Sequence, residues 1–72
     1  MELELKFNEN MGLKLKFNRM KMKLTQKELA DKTGISRYYL SALERGKATN
    51  PSILVMKKIS EVLKIDVQEL FF

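Results

Sequence analysis

The stretch SRYYLSALERGK (residues 36–47) concentrates side chains that can hydrogen-bond to nucleic-acid bases and phosphates. The guanidinium of Arg37 can donate two parallel hydrogen bonds to O6 and N7 of guanine, which is the commonest specific contact in the major groove. Tyr38 offers a ring for a thymine methyl group and a hydroxyl for a base or phosphate, whereas Ala42 can only pack. Each also has a plainer interpretation as a surface residue, and helix propensity explains Ala42 equally well.

Residue types that serve catalysis or bind metals are scarce. The chain contains no His and no Cys, so a nucleophile or general base would have to be a Ser, a Lys or a carboxylate. No two carboxylates have a spacing that suggests a shared pocket, and no Gly-rich phosphate loop occurs. We therefore expect no enzyme, no metal site and no cofactor, and no small-molecule effector is evident.

The positive charge lies in the middle of the chain. The net charge is +5, but residues 13–47 hold ten basic and three acidic residues, whereas the other positions hold four basic and six acidic ones. A basic middle favours a surface that faces a polyanion. A solvated lysine surface explains the same charge, so this observation does not decide between the two.

The length and composition indicate one small domain. A chain of 72 residues buries only about 60% of the surface that it exposes when unfolded. Without Cys or His it has neither disulfides nor the usual zinc ligands, so we expect a core of packed helices. No apolar run approaches 18 residues, and Glu2 and Glu4 stand where a signal peptide would be basic. These features predict a cytoplasmic protein without a membrane span, bound to the nucleoid when it occupies DNA.

Two short helices are predicted to meet across a tight turn at residues 34–36. Thr25 and Glu28 have the spacing of a capping box, which predicts a helix start. Gly34 can adopt the left-handed conformation that ends a helix, and Ser36 can cap the next one. This order predicts a helix-turn-helix. A generic helical hairpin of a small bundle is the alternative.

The C-terminal third predicts two more helices. In NPSILVMKKISEVLKI, Asn50 is a plausible boundary, Pro51 suits the first turn and Ser52 can also cap. An apolar stripe follows at Ile53, Met56, Ile59 and Leu63. In DVQELFF, Asp66 and Glu69 have the spacing of another capping box, and we expect Ile65, Leu70 and Phe71 to anchor a short helix.

The segment TQKELADKTGISRYYLSALERG, followed by a Lys, by NPS and by a further helix, resembles the Cro/repressor-type helix-turn-helix family (the xenobiotic-response-element group). The resemblance covers about residues 13–72. It implies an all-α, compact five-helix, lambda-repressor-like domain that binds double-stranded operator DNA as a homodimer. It further implies a sequence-specific transcriptional regulator that reads the major groove with helix 36–45. Among such regulators, the resemblance favours a repressor. A protein-interaction module with the same fold, such as an antitoxin or adaptor, is the alternative.

The resemblance also implies roles for individual residues. Base reading falls to Arg37, Tyr38, Ser41 and Ala42. Contacts to the DNA backbone fall to Thr25, Gln26, Ser36, Arg45, Lys47, Thr49 and Asn50. We add Tyr39 to the backbone contacts, because it lies about 100° from Tyr38 around the helix and one of the two can lean on the core. Arg19 and Glu44 match a pair that forms a structural ion pair between the first and third helices.

The N-terminal repeat has two interpretations. LELKFN (residues 3–8) returns as LKLKFN (13–18), and the alternation favours a β-hairpin, but the family needs a first helix from residues 13–23. The resemblance assigns Leu15 and Met22 of this helix to the core, which leaves an outer stripe of Leu13, Phe17 and Met20. Residues 11–72 then form the domain and residues 1–10 an extension, either disordered or extended. In the extended case, our hypothesis is that Leu3, Leu5 and Phe7 cover the outer stripe, either in the same subunit or in a dimer mate.

Overall fold

The computed structural model describes residues 10–72, which form five helices. The helices are α1 (Met11–Lys21), α2 (Gln26–Thr33), α3 (Arg37–Glu44), α4 (Ile53–Leu63) and α5 (Val67–Phe71). No residue in this described part lies in a β-strand. The predicted all-α, five-helix fold is confirmed, and α1 packs most extensively against α3.

The second copy of the repeat is helical. Residues 13–18 lie inside α1, so the interpretation of the repeat as a β-hairpin is wrong. The alternating pattern is also compatible with a helix, because it places apolar residues on two opposite sides of α1. Leu15 is fully buried in the core on one of these sides. The first copy, and with it the hypothesis about Leu3, Leu5 and Phe7, lies outside the described residues.

The helix-turn-helix is built from the predicted caps. The Thr25 hydroxyl accepts from the N–H of Glu28, and the Glu28 carboxylate accepts from the N–H of Thr25, so the capping box is complete. Gly34 follows α2 with φ +75°, a conformation that costs an L-residue energy but suits glycine. The Ser36 hydroxyl then accepts from the N–H of Tyr39 at 3.0 Å and caps α3.

All five helices and the turn between α2 and α3 contribute to one apolar core. Its fully or nearly fully buried members are Met11, Leu15, Leu29, Ala30, Ile35, Leu40, Leu43, Met56, Ile59, Leu63, Leu70 and Phe71. Burial of Met56, Ile59 and Leu63 confirms most of the stripe predicted for α4. Two predictions of burial are wrong. Met22 is 39% exposed because α1 ends at Lys21, and Ile53 is 56% exposed because it begins α4, beyond the edge of the core.

The last two helices begin differently from the prediction. Ser52 alone caps α4, its hydroxyl accepting from the N–H of Val55, and the buried Pro51 lies just before the cap instead of in the first turn. Asp66 precedes α5 without a side-chain cap bond, so the second capping box does not form. Leu70 and Phe71, both 0% exposed, hold this five-residue helix in place. No described helix is both long and apolar enough to cross a membrane.

Candidate nucleic-acid interface

Helix α3 buries one side and presents the other to solvent. Leu40 and Leu43 are 0% exposed and anchor the inner side in the core. Arg37 and Tyr38 are exposed at the start of the helix, and Tyr38 is 90% exposed. The outer side of α3 is therefore polar and aromatic and is open to a partner.

The N-termini of α2 and α3 lie on the same surface. Gln26, the first residue of α2, lines one cleft of about 350 Å³ together with Arg37, Tyr38 and Ser41 of α3. The first N–H groups of a helix have no carbonyl partner in a preceding turn and carry partial positive charge. The side chains of Thr25 and Ser36 each accept a hydrogen bond from only one of these N–H groups. Both helix starts therefore keep further N–H groups that can donate to phosphate oxygens.

A buried ion pair connects α1 to the end of α3. Nε of Arg19 donates to Oε2 of Glu44 at 2.6 Å, and Nη2 donates to Oε1 at 3.0 Å, while the Arg19 and Glu44 side chains are only 10% and 3% exposed. Nη1 of Arg19 also donates to the Leu24 carbonyl, and Nε2 of Gln26 donates to Oε1 of Glu44 at 3.0 Å. One guanidinium and one carboxylate therefore join α1, the α1–α2 loop, α2 and α3.

Gly12 brings α1 into direct contact with the backbone of α3. A Cβ atom at Gly12 would lie 2.5 Å from the Glu44 carbonyl oxygen and 2.6 Å from that of Leu43. Only glycine permits this approach, which seats α1 against the C-terminal turn of α3. Gly12 is not among the residues predicted from the sequence. The signal that could have identified it is a glycine within a helical pattern. Glycine in a helix costs about 1 kcal/mol of stability relative to alanine, so its presence indicates a close contact that a larger residue would prevent.

The chain turns sharply after α3 and carries two exposed cations. The N–H of Gly46 (φ +76°) donates to the Leu43 carbonyl and that of Lys47 donates to the Ala42 carbonyl, which together form a Schellman motif. Arg45 and Lys47 are exposed on this turn. Ala48 packs against the core, so the exposed residues of the following loop are Thr49 and Asn50.

The structure brings most predicted contact residues to the surface formed by α2, α3 and the following turn. Tyr39 differs from Tyr38, because it is half-buried and packs against the core. Ser41 and Ala42 are half-buried on the flank of α3. Arg19 and Glu44 lie behind this surface as a bidentate pair and not on it. Among the described residues, no three acidic side chains are grouped as metal ligands would be.

The family is decided by a comparison over most of the chain. A family model described as "Helix-turn-helix" matches residues 15–70. The chain belongs to the helix-turn-helix family. This membership confirms the resemblance to the Cro/repressor group that the TGIS turn and its flanking caps carry.

Relatives of this family come from bacteria and archaea. The chain is 41% identical over 59 residues to the HTH-type transcriptional regulator SinR of Bacillus subtilis, covering 82% of this chain and 53% of SinR. It is 38% identical over 58 residues to an uncharacterized HTH-type transcriptional regulator of Methanocaldococcus jannaschii, covering 81% of this chain and 86% of that protein. The chain is 48% identical over 44 residues to the HTH-type transcriptional regulator SlrR of Bacillus subtilis. This match covers 61% of this chain but only 29% of SlrR.

Solved structures of relatives share the fold. SinR in a crystal structure with DNA superposes with a TM-score of 0.81 at 40% identity, covering 83% of this chain and 95% of that chain. The restriction-modification controller protein C.AhdI of Aeromonas hydrophila gives a TM-score of 0.80 at 33% identity, covering 88% of this chain and 94% of that one. The five helices of residues 10–72 are therefore arranged as in known regulators of transcription and restriction-modification.

Proposed function

We propose that this protein is a sequence-specific, double-stranded-DNA-binding transcriptional repressor that acts in the cytoplasm as a homodimer. The observation that carries the proposal is the outer side of α3. It exposes Arg37 and a 90% exposed Tyr38, while its inner side is fixed by Leu40, Leu43 and the buried Arg19–Glu44 pair. A rigid helix with an exposed polar and aromatic side has the form of a major-groove reader.

Binding divides into positioning contacts and reading contacts. The helix starts at Gln26 and Ser36 and the cations Arg45 and Lys47 contact phosphates, which fixes the register of the protein on DNA but reads no sequence. Thr25, Tyr39, Thr49 and Asn50 complete the backbone contacts. Sequence is read by Arg37, Tyr38, Ser41 and Ala42, with the Arg37 guanidinium directed at a guanine. Occupation of an operator then blocks access to the promoter.

The proposed homodimer follows from the size of the reading surface. An eight-residue α3 spans only about 12 Å and reads few base pairs, whereas two copies on a two-fold operator double the site and its specificity. Ile53 and Leu54, which are 56% and 62% exposed at the start of α4, are apolar residues available for pairing. Of the C-terminal LFF, only Phe72 is exposed enough to contribute. Sedimentation of the protein alone and on DNA tests this, and a strict monomer in both would refute it.

Selection from a random duplex pool tests the reading function directly. We expect enrichment of two inverted half-sites about one helical turn apart. On the selected duplex, binding should weaken steeply with salt, with a slope of about 0.9 per phosphate contacted. Recovery of unenriched sequences, or weak binding that is flat with salt, would refute the proposal.

Two variants separate the proposed roles. Arg37→Ala should weaken binding to the selected duplex by about 1–3 kcal/mol and relax the sequence preference at one base pair. Arg45→Ala should weaken binding to all duplexes alike and lower the salt slope by about 1. Lys57→Ala is the matched control, because it removes the same charge from the cleft at the α4–α5 turn, away from the cleft that Arg37 lines. Equal effects of all three variants would show that only net charge matters.

A further inference from the structure

Helix α1 carries an outer stripe of exposed apolar side chains that the DNA-binding surface does not use. Leu13, Phe17 and Met20 are 64%, 62% and 57% exposed and follow each other at i, i+4 and i+7, so they share one side of the helix. Nζ of Lys21 lies 5.5 Å from the centre of the Phe17 ring, which still leaves most of the stripe open. Three large apolar side chains exposed side by side form a candidate interaction surface.

The stripe lies on a different side of α1 from the contacts of this helix with α3. Gly12 and Arg19, which touch α3, lie about 100–120° around the helix from Leu13. A partner on the stripe therefore leaves the ion pair and the position of α3 unchanged. The occupant need not compete with DNA.

The nine residues that precede Asn10 have the pattern and the reach to cover the stripe. Leu3, Leu5 and Phe7 alternate with polar residues, so an extended segment places all three on one side at intervals of about 6.7 Å. Along α1, the step from Leu13 to Phe17 is about 6 Å and that from Phe17 to Met20 about 4.5 Å. Nine residues can reach about 30 Å, roughly twice the length of α1, so the segment can run back along the helix.

The charges of the two elements are complementary. Residues 1–9 contain Glu2, Glu4 and Glu9 against a single Lys6. Helix α1 contains four basic residues and no acidic one, and Lys16 and Lys21 flank the outer stripe on either side. An acidic segment with an apolar side matches a basic helix with an apolar stripe better than a second basic α1 would.

We propose that Leu3, Leu5 and Phe7 of the same chain cover Leu13, Phe17 and Met20, with Phe7 nearest Leu13 and Leu3 nearest Met20. The two copies of the repeat then pack against each other, one along the helix formed by the other. The proposal rests on the fold and not on the proposed function, because the stripe lies outside the DNA-binding surface.

Oxidation of Met20 by hydrogen peroxide in the full-length protein reports on the cover. Met22 is the internal reference, since it lies about 180° around from Leu13 and lines a different cleft with Asn18 and Leu63. Chymotryptic peptides with fragmentation distinguish the two methionines. In the triple variant Leu3→Ser/Leu5→Ser/Phe7→Ser, the Met20 rate relative to Met22 should rise about threefold or more, because oxidation follows exposure.

A matched apolar variant and a dilution series complete the test. Leu3→Ile/Leu5→Val/Phe7→Leu keeps apolar side chains at all three positions and should retain the protection of Met20. Protection should also be independent of protein concentration. An unchanged Met20 rate in the serine variant, or protection lost on dilution as for a second copy, would overturn the proposal. Affinity of the serine variant for the selected duplex should equal that of the wild type, so failure of the cover and failure of DNA binding are separately visible.

Discussion

Replacing Arg19 by Met isolates the buried carboxylate behind α3. Methionine keeps a long side chain in the same space but removes the guanidinium that donates two hydrogen bonds to Glu44 and one to the Leu24 carbonyl. Glu44 then retains one side-chain donor, Nε2 of Gln26 at 3.0 Å, in a site where its own side chain is 3% exposed. The variant therefore tests whether this pair holds α3 against α1.

The expected loss is a large part of the total stability. Breaking a buried pair by removing one partner costs about 3–5 kcal/mol, because an uncompensated charge stays buried. A chain of 72 residues has a free energy of unfolding of about 4–11 kcal/mol. The double variant Arg19→Met/Glu44→Leu removes both charges and should recover most of the loss, although Gln26 then lacks its acceptor.

Urea unfolding followed by circular dichroism measures these free energies. With a slope of about 1 kcal/mol per molar urea for a protein of this size, Arg19→Met should lower the midpoint by about 3–5 M, or leave the chain unfolded without urea. The matched control is Lys27→Met, which breaks the exposed Lys27–Asp31 pair (71% and 67% exposed) and should cost no more than about 0.5 kcal/mol. Equal losses for both variants, or a double variant as unstable as the single one, would refute the assigned role of burial.

Two backbone positions give further predictions. Gly12→Ala should lower the free energy of unfolding by about 1–2 kcal/mol. The new Cβ would lie 2.5 Å from the Glu44 carbonyl oxygen, and moving it to an ordinary contact distance costs more than the higher helix propensity of Ala gains. The control Lys16→Ala, at an exposed position of the same helix, should change the urea midpoint little. Lys64→Gly should raise the melting temperature by a few degrees, because Lys64 has φ +57° and left-handed backbone costs a non-glycine residue about 1–2 kcal/mol. Lys57→Gly inside α4 should lower the melting temperature instead, and a rise in both would contradict the strain at Lys64.

Features decided by neighbours in the chain were predictable from the sequence. The capping box of Thr25 and Glu28, the left-handed Gly34 and the Ser36 cap depend on hydrogen bonds that span three or four residues. They therefore appear in the sequence as fixed spacings, and they locate the helix-turn-helix and the exposed start of α3. The same logic failed at Asp66, where tertiary burial of Leu70 holds the helix without the box.

Features decided by contacts between helices were not predictable in this way. The seat of Gly12 on the α3 backbone joins positions more than 30 residues apart, and the bond from Gln26 to Glu44 spans 18 residues. No spacing rule connects such positions. Burial of Met22 was implied by the family resemblance, but α1 ends one residue earlier, at Lys21, and Met22 is 39% exposed. The Arg19–Glu44 pair was anticipated only because the family resemblance supplied it.

The alternating repeat and the position of α3 have a common physical origin in α1. The side of α1 that contacts α3 needs a residue without a side chain and a hydrogen-bond donor. Gly12 lets the two backbones approach, and Arg19 pairs with Glu44. Strict alternation cannot satisfy a 3.6-residue period, so it also places Leu13, Phe17 and Met20 on a side of α1 that lies outside the core and is largely exposed. Changes on that side, such as Phe17→Ser, should therefore leave DNA affinity intact, whereas Gly12→Ala should lower it by displacing α3. Equal losses of DNA affinity from both would mean that the two sides of α1 are coupled, and that the outer stripe belongs to the DNA-binding machinery after all.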